Sequence, residues 1–254
     1  MRKYLVLLCV LVMVGFASPA AALFTNGGFE TGDLSGWDLY YGYNYSGPGT
    51  ISWSTTPHAI APGVWTASST MPGQTLNVNP YNGTYMARIN DIYGNYHATK
   101  ISQTDQISQQ DIDDGATLYV NWGAMLIEPS NLHPQNAQPF FGIDVLVGGS
   151  VVESFFADAL MKQGGGWQLA GSDGWSELWY KSGTWSFDLS AYALGTDVTV
   201  EMYVADCTWG GHGGYAFLDG IGTTYQPPIQ RVPEPATLLL LGMGFLGLGV
   251  LRRR

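Results

Sequence analysis

Basic residues are scarce in this chain. Between residues 23 and 230 only four Lys or Arg stand against nineteen Asp or Glu, a net charge of −15. Such a body repels nucleic acid and anionic lipid, so neither is expected as a partner. Cysteine is also scarce: Cys9 lies in an N-terminal apolar run and Cys207 is the other. Once that run is removed, Cys207 has no partner for an internal disulfide, and a secreted domain of this size does not need one. A bridge between two chains and a buried inert thiol both remain compatible with Cys207.

Catalytic motifs are missing too. His58, His97, His133 and His212 are scattered along the sequence, with no close pair of the kind that binds zinc. There is no Gly-x-Ser-x-Gly elbow with a plausible base, no phosphate loop and no dinucleotide glycine pattern. The expectation is a protein that is not an enzyme. Glu128, Asp173, Glu177 and Asp206 fall in or near expected loops. Paired in space they would suit a glycoside hydrolase or lyase, so that class stays open.

Glycine, by contrast, is abundant: 29 of the 208 residues from 23 to 230, about twice the ~7% of ordinary proteins. Turns must be frequent. Thr84–Ile89 and Asp197–Ala205 alternate apolar and polar residues, the period of a half-buried strand. Thr117–Trp122, Phe140–Val147, Trp179–Leu189 and Tyr215–Ile221 are further strand candidates, rich in aromatic and β-branched residues. Val145 to Val152 reads as a hairpin about Gly148-Gly149. Asp111-Ile112-Asp113-Asp114-Gly115 lacks the spacing of a calcium loop and reads as a turn. Many short strands between such turns predict an all-β fold, a two-sheet jelly-roll β-sandwich over residues 23–225, with 226–231 as a linker.

Both ends address the chain to a membrane. Arg2 and Lys3 precede the uncharged run Tyr4–Phe16 and a small-residue stretch to Ala22, so residues 1–22 read as a signal peptide removed by the secretion and signal-peptidase machinery. The alternative, a permanent anchor, falls short of the ~20 apolar residues a bilayer needs. At the other end, Ala236 to Leu251 is sixteen residues without a charge, closed by Arg252, Arg253 and Arg254. As a helix of ~1.5 Å per residue this transmembrane segment is a marginal span. Positive charge holds each outer end on the cytoplasmic side, which leaves the body outside.

The order Val232-Pro233-Glu234-Pro235, apolar helix and terminal arginines resembles the PEP-CTERM sorting signal of Gram-negative bacteria that make exopolysaccharide. The resemblance covers residues 232–254. It implies recognition and processing by an exosortase-like membrane enzyme, transient anchoring in the inner membrane, and a final place at the cell surface or outside the cell. A plain tail anchor is the alternative.

A second resemblance runs through the body. Asn26-Gly27-Gly28-Phe29-Glu30 with Gly32-Asp33-Leu34-Ser35-Gly36-Trp37 is similar to the first strand and turn of jelly rolls related to carbohydrate-binding modules and galactose-binding-like domains. Gly83–Ala87, Ile101–Thr104, Phe187–Tyr192 and Ala216–Ile221 follow in the order of that fold's later elements. The resemblance implies one structural Ca2+ held by Glu30 and Asp219, and it makes exopolysaccharide a candidate ligand. Aromatic rings suit the C–H faces of sugars. Trp37, Trp122 and Trp185 stand in strand-like contexts and are expected in the core; Tyr41, Tyr43, Trp53, Trp65 and Trp175 are the expected surface rings. A structural or adhesive protein without a sugar site is the competing reading.

Overall fold

The computed structural model describes residues 23–58, 62–66, 78–91, 93–128, 133–159, 165–172 and 176–225. The signal-peptide, linker and sorting-tail segments expected from the sequence lie outside these residues, as does Trp175. Eleven strands form in chain order: β1 (Asp38–Tyr43), β2 (Gly63–Thr66), β3 (Tyr85–Asp91), β4 (His97–Gln106), β5 (Thr117–Glu128), β6 (Phe140–Val147), β7 (Ser150–Asp158), β8 (Gln168–Ser172), β9 (Glu177–Asp188), β10 (Asp197–Ala205) and β11 (Gly214–Gly222). One short helix, α1 (Gln109–Asp113), and a 3-10 turn at Gln135–Ala137 complete the described elements. No described helix is long and apolar enough to cross a membrane.

The strands make two antiparallel sheets, β1-β4-β10-β6-β7 and β2-β3-β11-β5-β9-β8. Setting aside the additional strands β1, β2 and β8, the remaining eight renumber as 2-7-4-5 in one sheet and 1-8-3-6 in the other. That order is a jelly roll, in which successive strands alternate between layers except at the β6–β7 hairpin, which stays in one sheet. The inner faces of β4, β10 and β6 supply Ile101, Val200, Met202, Val204 and Ile143; β5 and β11 supply Leu118, Val120, Ala216, Leu218 and Ile221. All are buried, as period-2 alternation requires of residues facing a shared core. Trp122 bridges the layers, with ring centroids 5.3 Å from Phe141 and 4.9 Å from Phe155. Trp37 is buried and Trp185 is half-buried against the same core.

The hairpin between β6 and β7 turns at Gly148 and Gly149, with φ of 57° and 80°. Two consecutive positive values define the turn that follows the natural twist of a hairpin, which is why two glycines stand there. Asp111 lies in α1 rather than in a simple turn. It makes a capping box with Ser108, and its buried carboxylate accepts from Leu23 N at 2.9 Å and Thr223 Oγ1 at 2.6 Å.

One sequence expectation is corrected. Asn26–Glu30 forms turns, not the first strand, which begins at Asp38. Phe24, Asn26 and Phe29 have φ of 71°, 54° and 55°, which extended backbone does not allow. The segment is held by Phe29, whose fully buried ring lies 5.6 Å from that of Trp37, and by Ile221 N donating to Gly27 O at 2.9 Å.

Candidate functional site

On the outer face of the five-stranded sheet, strand register sets cross-strand neighbours in rows. One row runs Tyr40, Lys100, Tyr203, Gly142, Phe156; the next runs Asp38, Ser102, Glu201, Asp144, Ser154. The absence of a side chain at Gly142 lets the Tyr203 ring lie flat across it: a Cβ there would come within 2.5 Å of the Tyr203 hydroxyl oxygen and overlap the ring. The Tyr203 hydroxyl hydrogen-bonds Asp144. Burial raises the Tyr203 pKa, and the negative Asp144 and Glu201 raise it further, so the hydroxyl keeps the proton it shares with Asp144. Ser154 Oγ donates to Asp144 Oδ1 at 2.6 Å, and Lys100 Nζ pairs with Glu201 Oε1 at 2.8 Å.

Over this face crosses an extended segment, tied to the edge of β1 by mutual backbone bonds between Tyr41 and Ser54 at 2.8 and 2.9 Å. Its alternation gives it two sides. Gly49, Ile51 and Trp53 line a groove of about 140 Å³ with Phe140, Asp144, Glu201 and Tyr203. Thr50 and Ser52 face a second hollow with Tyr43, Tyr45 and Ser46. Trp53 is half-buried; its ring lies 5.3 Å from Lys100 Nζ, and Tyr40's lies 4.9 Å from the same atom. The groove therefore places the rings of Trp53 and Tyr203 beside two carboxylates whose positions are fixed by neighbours.

The expected surface rings divide. Trp53 stands in the groove. Tyr43 is 43% exposed, stacks on Tyr45 at 5.6 Å with planes 9° apart, and lines the neighbouring hollow. Tyr41 is not a surface ring: it is 5% exposed, with its ring edge against His58 at 5.1 Å. Strand alternation turns Tyr41 to the inner side of its sheet, where it is buried, and at Tyr43 the same face emerges at the rim. Trp65 belongs to β2, paired opposite Met86 at the edge of the other sheet. Sequence reasoning missed Tyr203, Asp144 and Glu201. Their signal was alternation: three outward residues on two strands destined to be neighbours.

Glu30 and Asp219 do come together, around the turn at residues 81–85. Glu30 accepts from Thr84 N and Tyr85 N, each at 2.9 Å through Oε1, and Asp219 Oδ2 accepts from Asn82 N at 2.8 Å. Asp219 Oδ1 is buried and has no hydrogen-bond partner. Burial lifts the Asp219 pKa to about 7, against three backbone donors, with Glu30's charge adding to the rise. A buried carboxylate oxygen with no donor, beside a second carboxylate, suits a hard cation at Asp219; Glu30 already spends its oxygens on amides, so the fit there is partial.

At the end of the sandwich formed by the β1–β2, β3–β4, β5–β6 and β10–β11 connections, the histidines are not scattered as the sequence suggested. His58 and His97 stack at 4.3 Å, and His133 and His212 approach to 4.9 Å beside Cys207. Asp206 is fully buried between them. It accepts from Asn90 Nδ2 at 2.8 Å, Asn95 N at 3.0 Å and His97 N at 2.9 Å, while burial pushes its pKa up to about 8. Those bonds tie the β3–β4 and β10–β11 connections together. Glu177 Oε2 accepts from Trp179 Nε1 at 3.0 Å on β9, next to the edge strand β8 of the other sheet.

The fold and the groove define a β-sandwich of jelly-roll type with an aromatic, acid-lined outer face. The comparisons with known proteins add the tail: residues 231–254 match the PEP-CTERM protein-sorting motif. No curated protein matches the chain. Among solved structures it is similar to TmCBM61, solved in complex with beta-1,4-galactotriose, with 16% identity over 80% of this chain and 97% of that one and a TM-score of 0.41. Another is CBM28, described as a non-crystalline cellulose specific carbohydrate-binding module, with 15% identity over 80% and 96% of the two chains and a TM-score of 0.39. A third is Caldicellulosiruptor saccharolyticus CBM27-1 in complex with mannohexaose, with 12% identity over 79% and 96% and a TM-score of 0.39.

Proposed function

We propose that this chain is an exported, non-enzymatic surface or matrix protein that is sorted and processed through its tail by an exosortase-like enzyme and associates with exopolysaccharide. The groove over the five-stranded sheet is the sugar site. The observation that carries this reading is the combination of Trp53 and Tyr203 with Asp144 and Glu201: rings for the C–H faces of a pyranose, acceptors for its hydroxyls. The acids are held by Lys100, Ser154 and Tyr203 rather than left free for proton transfer, which favours binding over catalysis. Weak contact at one groove still holds a repeating polymer when many copies act together. Asp219, with Glu30, would hold a structural Ca2+, which would supply positive charge between two carboxylates that otherwise repel.

The test is affinity electrophoresis and glycan-array binding with the exported chain and its Trp53→Ala variant. Losing a central ring costs about 2 kcal/mol, roughly a 30-fold loss of affinity. Binding that is absent, or unchanged by Trp53→Ala, returns the protein to the structural or adhesive reading. Release of reducing ends or unsaturated sugars makes it an enzyme. Deletion of residues 232–254 should free the body from the membrane fraction, and continued retention would count against the tail as its anchor.

A further inference from the structure

The strongest unexplained cluster lies at the loop end, away from the groove. His133 comes from the connection between β5 and β6; Cys207 and His212 come from the turn between β10 and β11. Their ligand atoms all lie within 4.8 Å of one another, and among the described residues no other group of three His, Cys, Asp or Glu meets this condition. We propose that His133, Cys207 and His212 bind one transition-metal ion of the zinc class, which pins the two loops together.

The donor chemistry selects the ion. One thiolate and two imidazoles are borderline-soft ligands; calcium and magnesium prefer oxygen, which this cluster does not offer. Geometry agrees. With Zn–S near 2.3 Å and Zn–N near 2.0–2.1 Å, a tetrahedral ion holds its sulfur and nitrogen ligands about 3.6 Å apart. Cys207 Sγ lies 3.7 Å from His212 Nδ1.

The backbone holds these donors in place. Cys207 N donates to His212 O at 2.9 Å and Gly210 N to Cys207 O at 3.1 Å, closing the turn on itself. Gly210 has φ of 74°, a conformation that its lack of a side chain permits. Thr208 N donates to Ala137 O at 3.1 Å, and Gln138 Nε2 donates to His133 O at 2.9 Å, so the second loop is fixed against the first. Cys207 is fully buried and His133 6% exposed, whereas His212 is half-buried. Trp209 covers His133 with ring centroids 4.0 Å apart and is itself 57% exposed. Three protein ligands leave a fourth position, which water fills in a site of this type.

The experiment uses the full-length chain, purified in detergent without a polyhistidine tag, reduced and freed of metal by chelator. Cobalt(II) serves as the spectroscopic probe, followed by competition with zinc, copper(I) and calcium. The expected result is one equivalent of cobalt with a near-ultraviolet thiolate-to-metal band, displaced by zinc and unaffected by millimolar calcium. Cys207→Ser should abolish the band. His212→Asn, at a half-buried position that does not threaten folding, should weaken zinc binding at least tenfold. Displacement by copper(I) but not by zinc would overturn the zinc assignment. Absence of the band, or zinc affinity unchanged in both variants, would overturn the site itself.

Discussion

Gly142→Ala is the sharpest probe of the groove. The new methyl group would sit within 2.5 Å of the Tyr203 hydroxyl oxygen and overlap the ring, about 1 Å or more inside normal contact. Gly142 lies in the middle of β6, paired on both sides, so its backbone cannot retreat. The ring must lift, losing its contact with the sheet and its hydrogen bond to Asp144. Overpacking of this kind costs about 1–3 kcal/mol. A central figure of about 2 kcal/mol lowers the melting temperature of a domain this size by roughly 4–8 °C. The decisive assay is a double-mutant cycle by urea denaturation: in a Tyr203→Ala background the methyl group has room, so its cost should nearly vanish, leaving a coupling of about 2 kcal/mol. If Gly142→Ala costs the same in both backgrounds, the overlap is not what glycine avoids and the account of the groove floor is wrong.

Two further outcomes are expected. His97 is held below the ordinary histidine pKa by burial and by the stacked His58, so side-chain NMR should show it titrating below 6.5, and His58→Gln should move it upward. By linkage, the stability contributed by neutral His97 is present above pH ~6.5 and is lost as pH falls through that value toward its folded pKa. Calcium added to chelator-treated protein should raise its melting temperature, since saturation at 100 times Kd stabilises by about 2.7 kcal/mol; the shift should disappear in Asp219→Asn, and a shift that persists there would place the ion elsewhere.

The architecture was legible because its signal is local. Alternation in Asp197–Ala205 and the paired glycines at 148 and 149 define β10 and the β6–β7 hairpin from sequence alone. Strand β4 carried no such mark: His97–Gln103 is buried throughout, polar residues included, because β1 and β10 flank it and loops cover its outer face. Rings were harder to place than strands. Tyr41 and Tyr43 look alike in sequence, and only their places along β1, inside the sandwich and at its rim, separate a buried ring from an exposed one. The gathering of His133, Cys207 and His212 was invisible for the same reason: 74 residues separate His133 from Cys207, and strand order alone brings them together.

The chain begins and leaves the sandwich at one place. Leu23 O lies next to Gly222, and the Tyr225 ring lies beside Gly28. From there β11 runs back nine residues, close to 30 Å, to the cap where Tyr45, Tyr93 and Trp209 stand open to solvent. The first and last described residues of the body therefore share one end, opposite the cap that carries these three rings.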